Sequence, residues 1–172
     1  MCSRPGGVSG APGTCPGNLL TNPGFEDGIT GWSKLAEMNG SNGKWEAQSD
    51  VRASGELALC IDTTLAAPPS STYQLVIGSS PLAASPGDSF ELKAVAQGSE
   101  DGEGYPSMGI QFYNSSGGPI PDPVLFAVQA PTMAPVGPVV ATAPDGTVTV
   151  RAVFVLPNDA VLYVDDLCLV LQ

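Results

Sequence analysis

Residues 18–33 read NLLTNPGFEDGITGWS, and the fold is decided in this stretch. Asn18-Leu19-Leu20 is a brief apolar run with a polar start, which begins a sheet. Asn22-Pro23-Gly24 is a turn, because Pro fixes φ and Gly accepts φ > 0. Phe25 follows at once and has to go inside, leaving Glu26 and Asp27 at the turn. Asp27-Gly28 and Thr30-Gly31 bend the chain twice more. Trp32 then closes the segment as a core residue, and the sequence from there to Gly43 is polar and turn-rich.

Downstream, the 21 Gly and 17 Pro act as punctuation between short apolar runs and form no repeat. Lys44-Trp45-Glu46-Ala47 reads as a short strand with an aromatic on one face. Leu57, Leu59 and Ile61 share a face at period two, as do Tyr73, Leu75 and Ile77 within a strand over 72–77. The turn Ser85-Pro86-Gly87-Asp88 sends Phe90, Leu92, Ala94 and Ala96 inward and Glu91, Lys93, Val95 and Gln97 outward. Met108, Ile110 and Phe112 alternate with Gly109, Gln111 and Tyr113. Val148, Val150, Ala152, Phe154 and Leu156 alternate with Thr149 and Arg151, and a last strand covers 161–171. Pro68 to Ser71 and the acidic run Gly98 to Gly104 read as loops. Pro119 to Pro138 holds six prolines, so it is expected to cross as a loop with at most an edge strand at Val124 to Val128. Eight or nine such strands with no helix predict an all-β, antiparallel β-sandwich of the jelly-roll kind.

The chain is long enough for one domain with its own core, over residues 18–172, preceded by a Gly/Pro-rich arm, 1–17. A net charge of −11 with six Lys and Arg leaves no basic stripe for nucleic acid. No apolar run is long enough to span a bilayer, and no secretion signal is visible near Met1. The four cysteines, Cys2, Cys15, Cys60 and Cys168, allow three pairings. Cys2 with Cys15 would close a small loop and Cys60 with Cys168 would join two strands, unless Cys60 and Cys168 are simply small buried groups. With no His and no C-x-x-C pair, a zinc site is not expected.

Six local motifs occur in order: Asn18-Leu19-Leu20 through Asn22-Pro23-Gly24-Phe25-Glu26, Gly31-Trp32, Gly55 with Ala58-Leu59, Ser85-Pro86-Gly87-Asp88-Ser89-Phe90, Ala143-Pro144-Asp145-Gly146-Thr147, and Tyr163-Val164-Asp165-Asp166-Leu167. Together they resemble the galactose-binding-like jelly-roll modules, in particular carbohydrate-binding modules of families four, nine and twenty-two. The resemblance covers Asn18 to Leu171. Two departures stand out: residues 131–140 carry no aromatic where the family often has a Trp, and the arm has no family counterpart.

The resemblance implies a structural Ca2+ that ties the first strand to the last. Its ligands would be the Gly24 carbonyl, Glu26 and Asp165, with carbonyls from the 49–54 loop; hard oxygens of this kind suit calcium. Otherwise Glu26 and Asp166 merely solvate strand ends. A sugar platform would use flat rings and planar polar groups. Trp45, Tyr73, Tyr105 and Tyr113 are the rings, with Gln111, Glu91, Gln97 and Arg151 as polar partners, although Trp45 and Tyr73 also suit an ordinary core. A glycosidase pair, Glu91 with Glu103 or Asp122, is conceivable, but nothing singles it out, so an enzyme is not expected. The leading expectation is a non-catalytic module for a polysaccharide or cell-surface glycan, placed outside the cell or on a virion or other particle surface. The alternative is a decoration subunit of a virus capsid or other assembly, whose arm lies on neighbouring subunits. Neither involves nucleic acid or membrane insertion.

Overall fold

The computed structural model describes residues 14–66, 72–100, 104–121 and 123–172. These form eleven strands: β1 (Trp32–Met38), β2 (Lys44–Gln48), β3 (Ala58–Asp62), β4 (Gln74–Ser79), β5 (Leu82–Ala83), β6 (Ser89–Glu100), β7 (Ser107–Tyr113), β8 (Val124–Ala127), β9 (Ala134–Thr142), β10 (Thr149–Pro157) and β11 (Ala160–Leu171). The first sheet has the order β1-β4-β10-β7-β8, with β5 on β10, and the second has the order β2-β3-β11-β6-β9. Every pairing is antiparallel. The two sheets stack as a jelly-roll β-sandwich, the predicted fold class.

Period-two patterning fills the space between the sheets. Val150, Ala152, Phe154 and Leu156 of β10 face Phe90, Leu92, Ala94 and Ala96 of β6 in one buried cluster. Phe25 and Trp32 plug one end of it. Their rings lie 5.2 Å apart, and Trp32 stacks on Phe154 at 5.4 Å. The turn that delivers Phe25 holds it at φ 57°, a left-handed conformation that costs about 1–2 kcal/mol for a residue with a Cβ. Full burial of its ring contributes about 1.5–3 kcal/mol, so packing outweighs the local strain.

Several elements differ from expectation, each for an identifiable reason. Asn18 to Leu20 is not a strand; it runs beside the end of β11 on a few bonds. Leu19 N–H donates to the Leu169 carbonyl at 2.9 Å, and the Asn18 amide donates to Leu167 O and accepts from Leu169 N–H. The polar segment after Trp32 is strand β1, whose alternation is masked by a register shift between Lys34 and Ala36. β9 occupies the end of the proline-rich crossing. It is the edge strand of the second sheet, so Pro135 and Pro138 need no partner on their open side. β6 continues past Gly98 to Glu100 instead of ending in the acidic loop. A Cβ on Gly98 would lie 2.3 Å from the Val128 carbonyl, and so close a crossing requires glycine.

The cysteine pairing also differs. Cys15 is bonded to Cys168, across 153 positions, so neither Cys2–Cys15 nor Cys60–Cys168 forms. The reason is the path of residues 15–20 along β11. Cys60 is disulfide-bonded as well, with its partner outside the described residues. Residues 1–13 of the expected arm and the loop 68–71 also lie outside the described residues.

Candidate functional site

The outer face of the first sheet carries a groove. Across β7 and β10 the register sets Arg151 opposite Gln111 and Thr149 opposite Tyr113, and β4 adds Val76 opposite Val155. Because Met108, Ile110 and Phe112 are committed inward, period two sends Gln111 and Tyr113 outward onto the same face as Arg151, Val153 and Val155. Two glycines let neighbouring strands lean over this floor. A Cβ on Gly78 would meet Leu35, and one on Gly109 would meet the β8 backbone and Leu125. Leu35 and Leu125 therefore stand as opposite walls. The cleft has a volume of about 750 Å³, and a smaller hollow of about 210 Å³ continues it past Gln74 and Leu125, the two sharing Val76, Gln111 and Tyr113.

The polar groups of the groove are held in place from behind. Gln111 donates from Nε2 to the carbonyls of Ile120 at 2.6 Å and Phe112 at 3.0 Å, which pins the chain that returns from the Asn114–Gly118 turn. Arg151 donates from Nη1 to the Ser79 carbonyl at 2.7 Å, and its guanidinium stands 5.5 Å from the Tyr113 ring centre, within cation–π range. Burial pushes the Tyr113 phenol above its ordinary value against the opposing pull of Arg151.

Of the predicted ligand residues, the structure brings together Tyr113, Gln111 and Arg151 and separates the others. Glu91 and Gln97 lie on the outer face of the second sheet, on the far side of the sandwich. There Glu91 is ion-paired with Lys93 and Gln97 is paired with Tyr163 across β11. Tyr73 has no exposed surface. It is a core residue whose hydroxyl donates to Glu37 Oε1 at 2.8 Å, so it cannot meet a sugar. Trp45, opposite Ile61 on β3, is half-buried and packs against the core. Tyr105 is half-buried just before β7 and does not line the groove. Sequence reasoning did not single out Leu35, Met38, Val76, Leu125, Val153 and Val155; for Val153 and Val155, spacing of two and four from Arg151 was the available signal. Of the glycosidase candidates, Glu91 faces away from the groove and Glu103 and Asp122 lie outside the described residues.

The N-terminal turn and the last strand do meet. Asp165 is fully buried; its Oδ2 accepts the N–H groups of Ala53 and Ser54, both at 2.9 Å, and its Oδ1 accepts that of Asp166 at 2.8 Å. Asp166, at φ 46°, accepts the Ser54 hydroxyl at 2.7 Å. A Cβ on Gly24 would lie 3.6 Å from Asp165 Oδ1 and 3.9 Å from Asp166 Oδ1, so the turn backbone closes over both carboxylates. Glu26 is turned onto the amides of Glu56 and Leu57. Desolvation, first, and the charge of Asp166 hold the Asp165 carboxyl above its ordinary range, against the pull of its amide donors. Among the described residues no three or more acidic, His or Cys side chains form a metal-ligating group, so a cation here would also need backbone oxygens. The oxygens of buried Asp165 and half-buried Asp166, beside the backbone of the Gly24 turn, do fit Ca2+ in kind.

No family model matches this sequence, and none of the curated proteins does. Solved structures do match in shape. One is the enzymatically active domain of tailspike protein 4 from bacteriophage CBA120, with a TM-score of 0.69 and 14% identity over 90% of this chain; the chain spans 21% of that protein's length. A family 16 carbohydrate-binding module matches with a TM-score of 0.61 and 18% identity, over 89% of this chain and 99% of the other. The C-terminal family 22 carbohydrate-binding module of Clostridium thermocellum Xyn10B, described for ligand binding in its cleft, matches with a TM-score of 0.60 and 14% identity, over 90% and 93%. At these identities the likeness is one of fold, and the chain is thus similar to carbohydrate-binding modules in having their jelly-roll β-sandwich.

Proposed function

We propose that this protein is a non-catalytic carbohydrate-binding module that takes a glycan chain along the outer face of its first sheet. The observation that carries the reading is the groove itself, a long apolar trough with one aromatic ring and fixed amide and guanidinium groups along its floor. Such a surface suits pyranose faces and hydroxyls. Solved modules of the same fold include one described for ligand binding in a cleft. The described lining holds no carboxylate to serve as a general acid or nucleophile. The Cys15–Cys168 bond favours an oxidising location, outside a cell or on a particle surface. Ca2+, held by Asp165 and Asp166 with backbone oxygens around Gly24, would supply charge neutralisation and join the two chain ends, while Glu26 stays on the Glu56 and Leu57 amides. Calorimetry against a polysaccharide panel tests the glycan reading. Tyr113→Ala is expected to weaken the best ligand about tenfold, close to 1.4 kcal/mol, with the unfolding midpoint little changed. If no polymer binds the wild type, or if Tyr113→Ala binds as tightly, the reading fails.

A second reading, a structural subunit of a virion surface or other assembly, is favoured by one feature. Edge strand β8 presents Val124, Leu125 and Phe126 at 40–42% exposure, and an open apolar edge of this kind is apt for pairing with another chain. Light scattering over a concentration series tests it. Assembly that Phe126→Glu abolishes would support a subunit role, and a monomer at every concentration would sink self-assembly.

A further inference from the structure

The distribution of charge around the groove is unlike that of the rest of the chain. The sequence holds 17 Asp and Glu against six Lys and Arg, yet the described lining of the cleft and its continuation contains no carboxylate and one charged residue, Arg151. Outside it, Arg52 is turned onto the backbone carbonyls of Ser49 and Gly55, and Lys34 and Lys93 have the acidic partners Glu37 and Glu91. Arg151 has none among the described residues. Nη1 is committed to the Ser79 carbonyl and the guanidinium face to Tyr113, which leaves Nε and Nη2 without a protein acceptor among the described residues.

We propose that the ligand of this groove carries a carboxylate, as a uronic acid unit of a polysaccharide, and that Arg151 receives it. The proposal rests on the glycan-binding reading of the same groove and narrows it to a class. Arg151 is half-buried and shares the cleft lining with the apolar Leu35 and Val76, and an incoming anion restores solvation that burial removes. The planar fork matches a carboxylate's two oxygens, which a lysine cannot do. Tyr113 beneath it and Ser79 behind it fix the fork before the ligand arrives, so little ordering remains at the moment of binding. The net negative charge of the chain does not forbid this. Fields from carboxylates beyond the groove fade over a Debye length of about 8 Å at physiological salt, and the described lining presents no like charge at contact.

The test is calorimetry with polygalacturonate and with alginate, each beside its carboxyl-reduced form, and with dextran sulfate as a non-carboxylate polyanion. It uses the full chain and the variants Arg151→Gln, Arg151→Lys and Tyr113→Ala, with thermal unfolding to verify that each is folded. A uronate polymer is expected to bind at least tenfold more tightly than its reduced form. Arg151→Gln should remove that margin, so that the uronate polymer and its reduced form bind it equally, and Arg151→Lys should restore only part of the margin. Equal binding of the reduced polymer, lost in Tyr113→Ala, overturns the uronate class and leaves the glycan reading standing. So does a neutral polymer bound while both uronates are refused. Dextran sulfate bound as well as the uronates overturns the proposal in favour of plain charge attraction. No binding by any polymer overturns both.

Discussion

Replacing Cys15 and Cys168 together by Ser is expected to lower the stability of the protein by about 4 kcal/mol and its midpoint by roughly 8–16 °C. The bond closes a loop across 153 positions, nearly the whole described chain. In the chain-entropy account such a loop restricts the unfolded state by about 5 kcal/mol, and removing a native disulfide typically costs about 2–5 kcal/mol. A loss of about 4 kcal/mol, below the chain-entropy figure, is expected because the segment the bond anchors keeps other ties. Leu19 N–H still reaches Leu169, Leu167 N–H still reaches the Pro23 carbonyl, and Asn18 still brackets Leu167 and Leu169. The double replacement is preferred because a single one leaves a thiolate free to exchange with the disulfide of Cys60. Urea and thermal unfolding check the result. A midpoint within 1 °C of wild type would mean that the bond merely tacks down a frayed end, and the expected coupling of the two chain ends would be wrong.

How far the structure could be read from residues depended on how cleanly a strand alternates. Phe90 to Ala96 in β6, Met108 to Phe112 in β7 and Val150 to Leu156 in β10 announce both strand and inner face, and each is buried as that pattern requires. β1 was hidden because its bulge between Lys34 and Ala36 puts the pattern out of step. β9 was hidden because prolines that would break a central strand are harmless on an edge. The site shows a different limit. Alternation states that Gln111, Tyr113, Glu91 and Gln97 all point outward, but a sandwich has two outer faces. Which one each residue joins depends on strand order across the sheets, and that is set by long-range pairing. Tyr73 could have been placed better, since its spacing from Leu75 and Ile77 already put its ring inside and left only the hydroxyl in need of Glu37. The cysteine pairing rests on Asn18 lying against the end of β11, a contact between residues 149 positions apart that no local pattern reveals.

Asp165→Ala is expected to cost about 3–5 kcal/mol, because the side chain serves as a connector that only a carboxylate completes. Its two oxygens accept three N–H groups, from Ala53, Ser54 and Asp166, at a residue with no exposed surface. Removing it leaves these donors without an acceptor, and each buried unsatisfied group costs about 1–3 kcal/mol before water or backbone movement recovers part of it. Asp165→Asn keeps the shape and one oxygen. Its NH2 must face either the Ala53–Ser54 pair or Asp166, donor against donor, so a smaller loss of about 1–3 kcal/mol is expected. Equal stability of wild type and Asp165→Ala in urea would show that the 49–54 loop does not depend on this clamp. The same series separates the clamp from the proposed cation. If Ca2+ stabilises the wild type, the unfolding free energy should climb by about 2.7 kcal/mol at Ca2+ a hundredfold above Kd, raising the midpoint, and the midpoint should fall in a chelator. Asp165→Asn, which retains most of the fold but carries one neutral oxygen and no charge, should then be blind to both. A wild-type midpoint that ignores Ca2+ and chelator alike removes the cation, and the buried carboxylate must then be held by its amide donors alone.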